Sequence, residues 1–362
     1  MYSDQTQKDA LYTIYALIPV LSAPIFESLP VEEITKSLQA RRLEKKTGGL
    51  SGSSNLGASS IGDEGSSTTT DQQPVDAQSP NTLDRKTKNE LWSELKSQTL
   101  TRLLTLIYSN ALLILFTRLQ LNILARREYL EDALKVAATK HGFNDRIDMV
   151  DNTSTESTNY VNEQAYLSYS WWLLNRGWIT IRERVKNAVD EVFEEINPRA
   201  ELSLDDFAIL IGRAQTLIEQ EDDSNFISSA LLPPSNLETF VVQQTLDEDN
   251  LSSLSKDNSI LRILIDETKN YVNSSSSQIV LNSLINVGIT TVLNNIALSL
   301  SAKDPNQEPP NEIKVKLAIL LANVTRASND FKNTTNCDYV NNMDKVPELD
   351  ELSASVYSNF EI

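Results

Sequence analysis

LLTLIYSNALLILF (residues 103–116) is the most hydrophobic run in the chain, and its environment decides the fold. A helix that crosses a membrane needs about 20 apolar residues, whereas this run has about 14. Arg102, Arg118 and Gln120 bracket the run closely, and such groups are costly inside a bilayer. We therefore expect a core helix that is buried in protein and does not span a membrane.

The helix that contains this run is expected to extend from about residue 87 to residue 139. Thr87 and Glu90 have the spacing of a capping box, in which each side chain accepts a hydrogen bond from the other residue's backbone amide. Gly142 follows the expected end, where glycine commonly terminates a helix. The sequence thus predicts one long helix at the centre of the fold.

Other segments repeat apolar residues with the period of an α-helix. Residues 185–196, 207–218 and 349–360 each place large apolar side chains on one helical face. Residues 277–302 and 311–332 are apolar on most faces, so those helices are expected to be central. No strand pattern competes with these helices. The predicted fold class is all-α, a helical bundle around one long central helix.

Composition excludes some functions and predicts the domain organisation. The chain has 362 residues with a formal net charge of −18, and such a surface repels phosphate backbones, so a general nucleic-acid binder is not expected. Residues 47–84 are rich in Gly, Ser and Thr, which predicts a disordered linker inside a single domain spanning 1–362. A second polar stretch, about 140–158, is expected to be a shorter loop.

Residues that could carry catalysis or bind a metal are few. With one His (His141) and one Cys (Cys337), the chain cannot build a zinc site or a di-iron site from Glu-x-x-His pairs. His141 precedes Gly142, so it is interpreted as part of a helix end and not as a general base. P-loop and GxGxxG motifs are missing from the sequence, and no cofactor is expected. An all-α magnesium-dependent enzyme is the catalytic alternative, but the acidic residues 219–223 lack its paired aspartate motifs.

Several segments together resemble one protein family. They are YTIYALIPVL (12–21), ELWSELKSQTLTRLLTL (90–106), LFTRLQLNILARREYL (115–130), VNEQAYLSYSWWLLNRGW (161–178), VFEEINPRAELSLDDF (192–207) and LDELSASVYSNF (349–360). These segments resemble the cytosolic domain of the fungal peroxisomal biogenesis factor 3 (peroxin-3) family. The resemblance covers nearly the whole chain outside residues 47–84.

The resemblance implies an elongated helical bundle that acts by binding proteins and not by catalysis. Members of that family are anchored in the peroxisomal membrane by an N-terminal transmembrane segment and face the cytosol. They dock peroxisomal biogenesis factor 19, the chaperone-receptor for newly made peroxisomal membrane proteins, and in fungi they also recruit inheritance and pexophagy receptors. Because no transmembrane segment precedes Tyr12, the anchor is expected to be absent from this chain. The alternative in the interaction class is a generic helical scaffold or tether at an organelle surface.

The resemblance also implies a docking site around Trp92, in a Lys-x-x-x-Trp-x-x-Leu setting. Lys88 would pair with acidic residues that flank the partner's amphipathic helix, and Lys316 would be a second cation at the groove. Leu91 and Leu95 complete the expected partner-binding set. From the residues alone, Trp92 fits two interpretations about equally, an indole that anchors an interface or one that pins the start of the helix to the bundle.

Overall fold

The computed structural model describes residues 2–48, 86–140, 152–220, 226–256, 258–301, 314–333 and 337–359. In these ranges the regular structure is helical except for one pair of two-residue strands, so the predicted all-α fold is confirmed. In chain order the elements are α1 (Tyr2–Ser28), α2 (Val31–Gly48), α3 (Lys88–Lys140), α4 (Asn152–Leu167), α5 (Ser170–Trp172), a π-helical turn (Leu173–Gly177), α6 (Trp178–Phe193), β1 (Glu201–Leu202), α7 (Leu204–Gln220), α8 (Phe226–Leu231), a 3₁₀ turn (Ser235–Leu237), α9 (Glu238–Gln243), α10 (Glu248–Lys256), α11 (Ser259–Val272), α12 (Ser275–Ser301), β2 (Val315–Lys316), α13 (Leu317–Asp330), α14 (Asp338–Met343) and α15 (Pro347–Ser358).

Helix α3 is the centre of the bundle. Helices α1, α2, α6, α12, α13 and α15 all pack against it. Every residue from 99 to 120 is buried, so the hydrophobic run 103–116 is enclosed by protein on all sides. A helix that is apolar on every face is stable in water only when other elements cover it completely. The prediction that this run is a core helix is confirmed.

Three buried arginines of α3 form ion pairs with other parts of the fold. The pairs are Arg102 with Glu32 (2.7 Å), Arg118 with Asp344 (2.6 Å) and Arg126 with Glu267 (2.6 Å). A guanidinium is tolerated in a protein interior when a carboxylate pairs with it. The three carboxylates come from α2, from the turn after α14 and from α11, so these pairs tie α3 to distant parts of the sequence.

Some predicted boundaries differ from the structure. Helix α4 begins at Asn152, so the loop predicted for 140–158 is wrong from that residue onward. The first residues of α4 are polar and therefore favoured a loop, but its later residues Val161, Ala165 and Tyr166 are buried in the core. Two-residue strands β1 and β2 pair antiparallel, and they are too short to leave an alternating pattern in the sequence.

Two other sequence-based interpretations fall mainly on residues that the structure does not describe. Of the linker predicted for 47–84, only residues 47 and 48 are described, and they belong to the end of α2. His141 and Gly142 also lie outside the described residues, although α3 ends at Lys140, one residue from the predicted end.

The N-terminal helix α1 bears on the expected absence of a membrane anchor. Among the described residues, three helical stretches are long and apolar enough to cross a membrane by length and composition alone, namely Gln5–Leu43, α3 and α12. Ile14, Ile18 and Leu21 of α1 are buried in the main core, whereas Tyr12 and Val20 on its other side are exposed. The expectation that the chain lacks an N-terminal membrane anchor is therefore not supported.

Candidate docking site at the start of the central helix

The start of α3 is fixed by the predicted capping box. The Thr87 backbone amide donates to a Glu90 carboxylate oxygen (2.7 Å), and the Glu90 amide donates to the Thr87 hydroxyl (3.3 Å). These bonds satisfy backbone amides that would otherwise lack partners at the helix N-terminus. Lys88, the first residue of α3, is exposed, and Trp92 lies one turn further along the same stripe of the helix.

Trp92 borders a small apolar cluster that is separate from the main core. We call it the α2 cluster; its buried members are Val31, Ile34, Leu38, Leu91 and Leu95. Val31, Ile34 and Leu38 recur at helical spacing on α2, so that helix lays its apolar face on the first two turns of α3. Trp92 packs against this cluster and is only half-buried, so one part of the indole remains open to a partner.

Leu91 and Leu95 do not lie on an open surface. Leu91 is fully buried and Leu95 is 8% exposed, because α2 covers both side chains. The structure therefore places these two predicted partner-binding residues beneath the site, where they hold α2 in position. Of the four residues predicted on α3, Lys88 and Trp92 are the two that a partner can reach.

Polar contacts also hold α2 against α3. The Arg41 guanidinium donates to the Lys86 carbonyl oxygen, and Arg102 donates to Glu32 in the first turn of α2. Burial acts to raise the pKa of the Glu32 carboxyl, but the hydrogen bond and the positive charge of Arg102 outweigh it and lower that pKa. Arg102 also lies over the Phe26 ring, 4.9 Å from its centroid. Helix α2 is thus held to α3 at its first turn and past its middle, and it lies beside Trp92.

Lys96, one turn after Trp92, was missed by the sequence analysis. Its ammonium donates to the backbone oxygens of Phe193, Glu194 (3.2 Å) and Ile196 (2.9 Å) at the end of α6. The last carbonyls of a helix lack intrahelical partners, and a lysine is well suited to them. Desolvation lowers the pKa of Lys96, although the nearby carboxylates Asp190 and Glu194 act to raise it. The sequence shows only a lysine four residues after Trp92, and nothing in it marks the backbone acceptors.

Lys316 lies on a different element from Trp92. It is exposed and belongs to β2, where it pairs with Glu201 of β1. The backbone amide of Leu317 donates to the Ala200 oxygen (2.9 Å), and that of Ala318 donates to the Pro198 oxygen (3.1 Å). Residues 198–201 directly continue the segment that Lys96 holds. The structure therefore connects Lys316 to α3 through residues 193–201.

A cavity of about 660 Å³ lies between the start of α3 and the end of α6, and most of the residues that line it are polar or charged. Its lining includes Lys86, Glu90, Glu94, Lys186, Asp190 and Glu194. Lys86 pairs with Glu94 (2.7 Å), and Lys186 pairs with Asp190 one turn away on α6. Among the described residues, no group of three or more His, Cys, Asp or Glu side chains is placed to hold a metal ion. The arrangement offers surfaces and charges for binding a protein.

The other tryptophans lie elsewhere in the fold. Trp178 is buried in the core, whereas Trp171 and Trp172 are half-buried at the π-helical turn. Trp171 contacts the Phe240 ring edge-on with 5.7 Å between centroids, and the Trp172 indole donates to the Ser229 oxygen (2.9 Å). Trp171 is therefore a natural control for Trp92, because both indoles are half-buried on the surface of the bundle.

Comparison with known proteins gives consistent matches over nearly the whole chain. The family model Peroxin-3 matches residues 4–359. "Peroxisomal membrane protein PEX3" of Komagataella phaffii is 40% identical, covering 99% of this chain and 87% of the relative. "Peroxisomal biogenesis factor 3" of Saccharomyces cerevisiae is 30% identical over 99% of this chain and 83% of the relative. The human protein of the same name is 25% identical over 72% of this chain and 68% of the relative.

These matches agree with the segments that suggested the family. The named relatives are peroxisomal membrane proteins and peroxisome biogenesis factors, which indicates a role in peroxisome biogenesis at the peroxisomal membrane. With a family model matching all but the first and last few residues, and relatives at 30–40% identity over nearly the full length, the chain belongs to the Peroxin-3 family.

Proposed function

We propose that the protein docks peroxisomal biogenesis factor 19 on the cytosolic face of the peroxisomal membrane, so that newly made membrane proteins can be inserted. The observation that carries the proposal is the half-buried indole of Trp92, at the edge of an apolar cluster that is separate from the main core. Tryptophan is the residue type most enriched at the energetic centres of protein interfaces. The partner would contribute its N-terminal amphipathic helix.

In the proposed complex the partner's helix lies against the exposed part of Trp92. Helix α2 lies beside this indole and packs on Leu91 and Leu95. A helix in a groove contributes apolar residues at i, i+3 and i+4 spacing, and a flat indole offers a large contact area to such a stripe. Lys88, exposed one turn before Trp92, would pair with acidic residues at the rim of the partner's helix.

The direct test measures the affinity of the protein for a synthetic peptide that carries the N-terminal helix of peroxisomal biogenesis factor 19. Trp92→Ala is expected to lose about 2 kcal/mol of binding energy, or about thirtyfold in affinity. Its melting temperature should stay close to that of the wild type, because the indole is only partly buried. Trp171→Ala, which removes another half-buried indole, should bind as the wild type does. Wild-type affinity in Trp92→Ala would refute the docking site.

Inheritance and pexophagy receptors are further proposed partners, on the basis of the resemblance to the fungal family. They are expected to use surfaces away from Trp92 if they bind while the import receptor is docked. The variant Trp92→Ala then separates the two kinds of binding. It should bind the peptide weakly but bind these receptors as the wild type does. Loss of every partner in this one variant would indicate a single shared surface.

A further inference from the structure

We propose that Lys96 is the positioning residue of the docking site, because it ties the helix that carries Trp92 to the segment that carries Lys316. This inference rests on the proposed function and on the expectation, from the family resemblance, that Lys316 is a second cation of the docking site. Lys96 is 5% exposed, so a partner cannot reach its ammonium directly. Its contribution to binding must therefore act through the groups that it contacts.

The first step of the linkage joins α3 to the end of α6. The ammonium of Lys96 donates to backbone oxygens of Phe193, Glu194 and Ile196. Three acceptors around one buried ammonium use all three of its protons, so the position of this backbone segment relative to α3 is strictly defined. Removing the ammonium would leave the partly buried oxygens of Glu194 and Ile196 without this donor, whereas the Phe193 oxygen keeps the Ile196 amide. The segment that carries these two oxygens is then expected to move toward water, which can replace the lost donor.

The second step joins this segment to Lys316. After Ile196 the chain continues to Pro198 and Ala200, whose carbonyl oxygens accept hydrogen bonds from Ala318 and Leu317. Glu201 then pairs with Lys316 across the two strands. The backbone of Lys316 is thus bound to residues 198–201, and those residues follow directly on the three carbonyls that Lys96 holds.

Trp92 and Lys96 are separated by four residues on α3, so they lie on neighbouring turns of the same helical stripe. A shift of residues 193–201 would therefore move Lys316 relative to the indole without altering the indole itself. Affinity would fall because the second cation no longer meets the partner at the same time as Trp92. If Lys96 positions Lys316 in this way, the effects of substituting the two residues on affinity should be energetically coupled.

A double-mutant cycle with the same peptide tests the coupling. Lys96→Met should lower affinity about tenfold, and Lys316→Ala should lower it about threefold in the wild type but not further in Lys96→Met. Lys186→Met is the control, because Lys186 lines the same cavity as Lys96 and pairs with Asp190 but is exposed; this variant should bind as the wild type does. Equal losses from Lys316→Ala in both backgrounds would overturn the proposal. So would wild-type affinity in Lys96→Met, or a Lys316→Ala change without effect in the wild type.

Hydrogen exchange tests the linkage without any peptide, in the milder variant Lys96→Gln. The backbone amides of Leu317 and Ala318 should exchange about tenfold faster, while amides in the middle of α3 keep their wild-type rates. A uniform acceleration over the whole fold, or no change at Leu317 and Ala318, would overturn the proposal. If the wild-type protein fails to bind the peptide, the proposed function is wrong, whereas the exchange rates still decide whether Lys96 holds the segment.

Discussion

The middle and the start of helix α3 belong to one continuous helix but have opposite environments. From residue 99 to 120 every side chain is buried in the main core. Over the first two turns the helix is covered on one side by the α2 cluster and exposes Lys88 and part of Trp92 on another. The middle therefore stabilises the whole fold, whereas the start exposes side chains on a rigid support and is the proposed binding surface. A site on the end of a core helix takes its fixed geometry from that helix.

The largest expected effect is that of a charge placed in the middle of α3. Leu113 is fully buried in the main core, and Leu113→Asp would bring an unpaired carboxylate into it. Such a change costs at least about 4 kcal/mol, a large part of the stability of an ordinary domain. Thermal or urea unfolding of the purified protein measures the loss. A folded variant of nearly wild-type stability would show that this part of α3 is not a core element.

Leucine-to-alanine substitutions compare the stability of the middle and the start of α3. Leu91 and Leu113 are both fully buried leucines of α3, but Leu91 belongs to the α2 cluster. Leu113→Ala should cost about 3–5 kcal/mol of global stability. Leu91→Ala should instead loosen α2 locally, which hydrogen exchange would show as faster exchange of α2 amides with little change in the middle of α3. Equal global destabilisation by the two variants would mean that the α2 cluster and the main core unfold as one unit.

The smallest effect is expected from the charge at the entrance of the site. Lys88 is exposed, so Lys88→Glu should leave the melting temperature unchanged and weaken peptide binding about threefold to tenfold. The loss should arise mainly in the association rate and shrink as salt is added, because exposed charges are screened. Stopped-flow binding at two salt concentrations measures this. An effect that does not depend on salt would mean that Lys88 does not act through its charge.

The sequence was sufficient for the parts of this fold that depend on local pattern. The apolar run 103–116 and the Thr87–Glu90 capping box correctly predicted the centre and the start of α3. Both are short-range signals, since they involve residues within a few turns of one helix. The all-α fold class followed from the same periodicity and was confirmed.

What the sequence did not reveal depends on contacts between distant residues. Leu91 and Leu95 looked available for a partner, but α2, more than 40 residues earlier in the chain, covers them. Lys96 reaches carbonyl groups about 100 residues further on, and backbone acceptors of this kind have no side-chain pattern in the sequence. Burial at the edge of a site is therefore decided by tertiary packing, even where the helix itself is easy to predict.

The most direct test of the central claim asks whether a bound helix covers Trp92. The chain has four tryptophans, so a protein labelled with 5-fluorotryptophan should give four fluorine resonances, and Trp92→Phe identifies the relevant one. Saturation with the helical peptide of peroxisomal biogenesis factor 19 is expected to shift the Trp92 resonance strongly while those of Trp171, Trp172 and Trp178 stay nearly in place. A Trp92 resonance that does not move when the peptide binds would contradict the account.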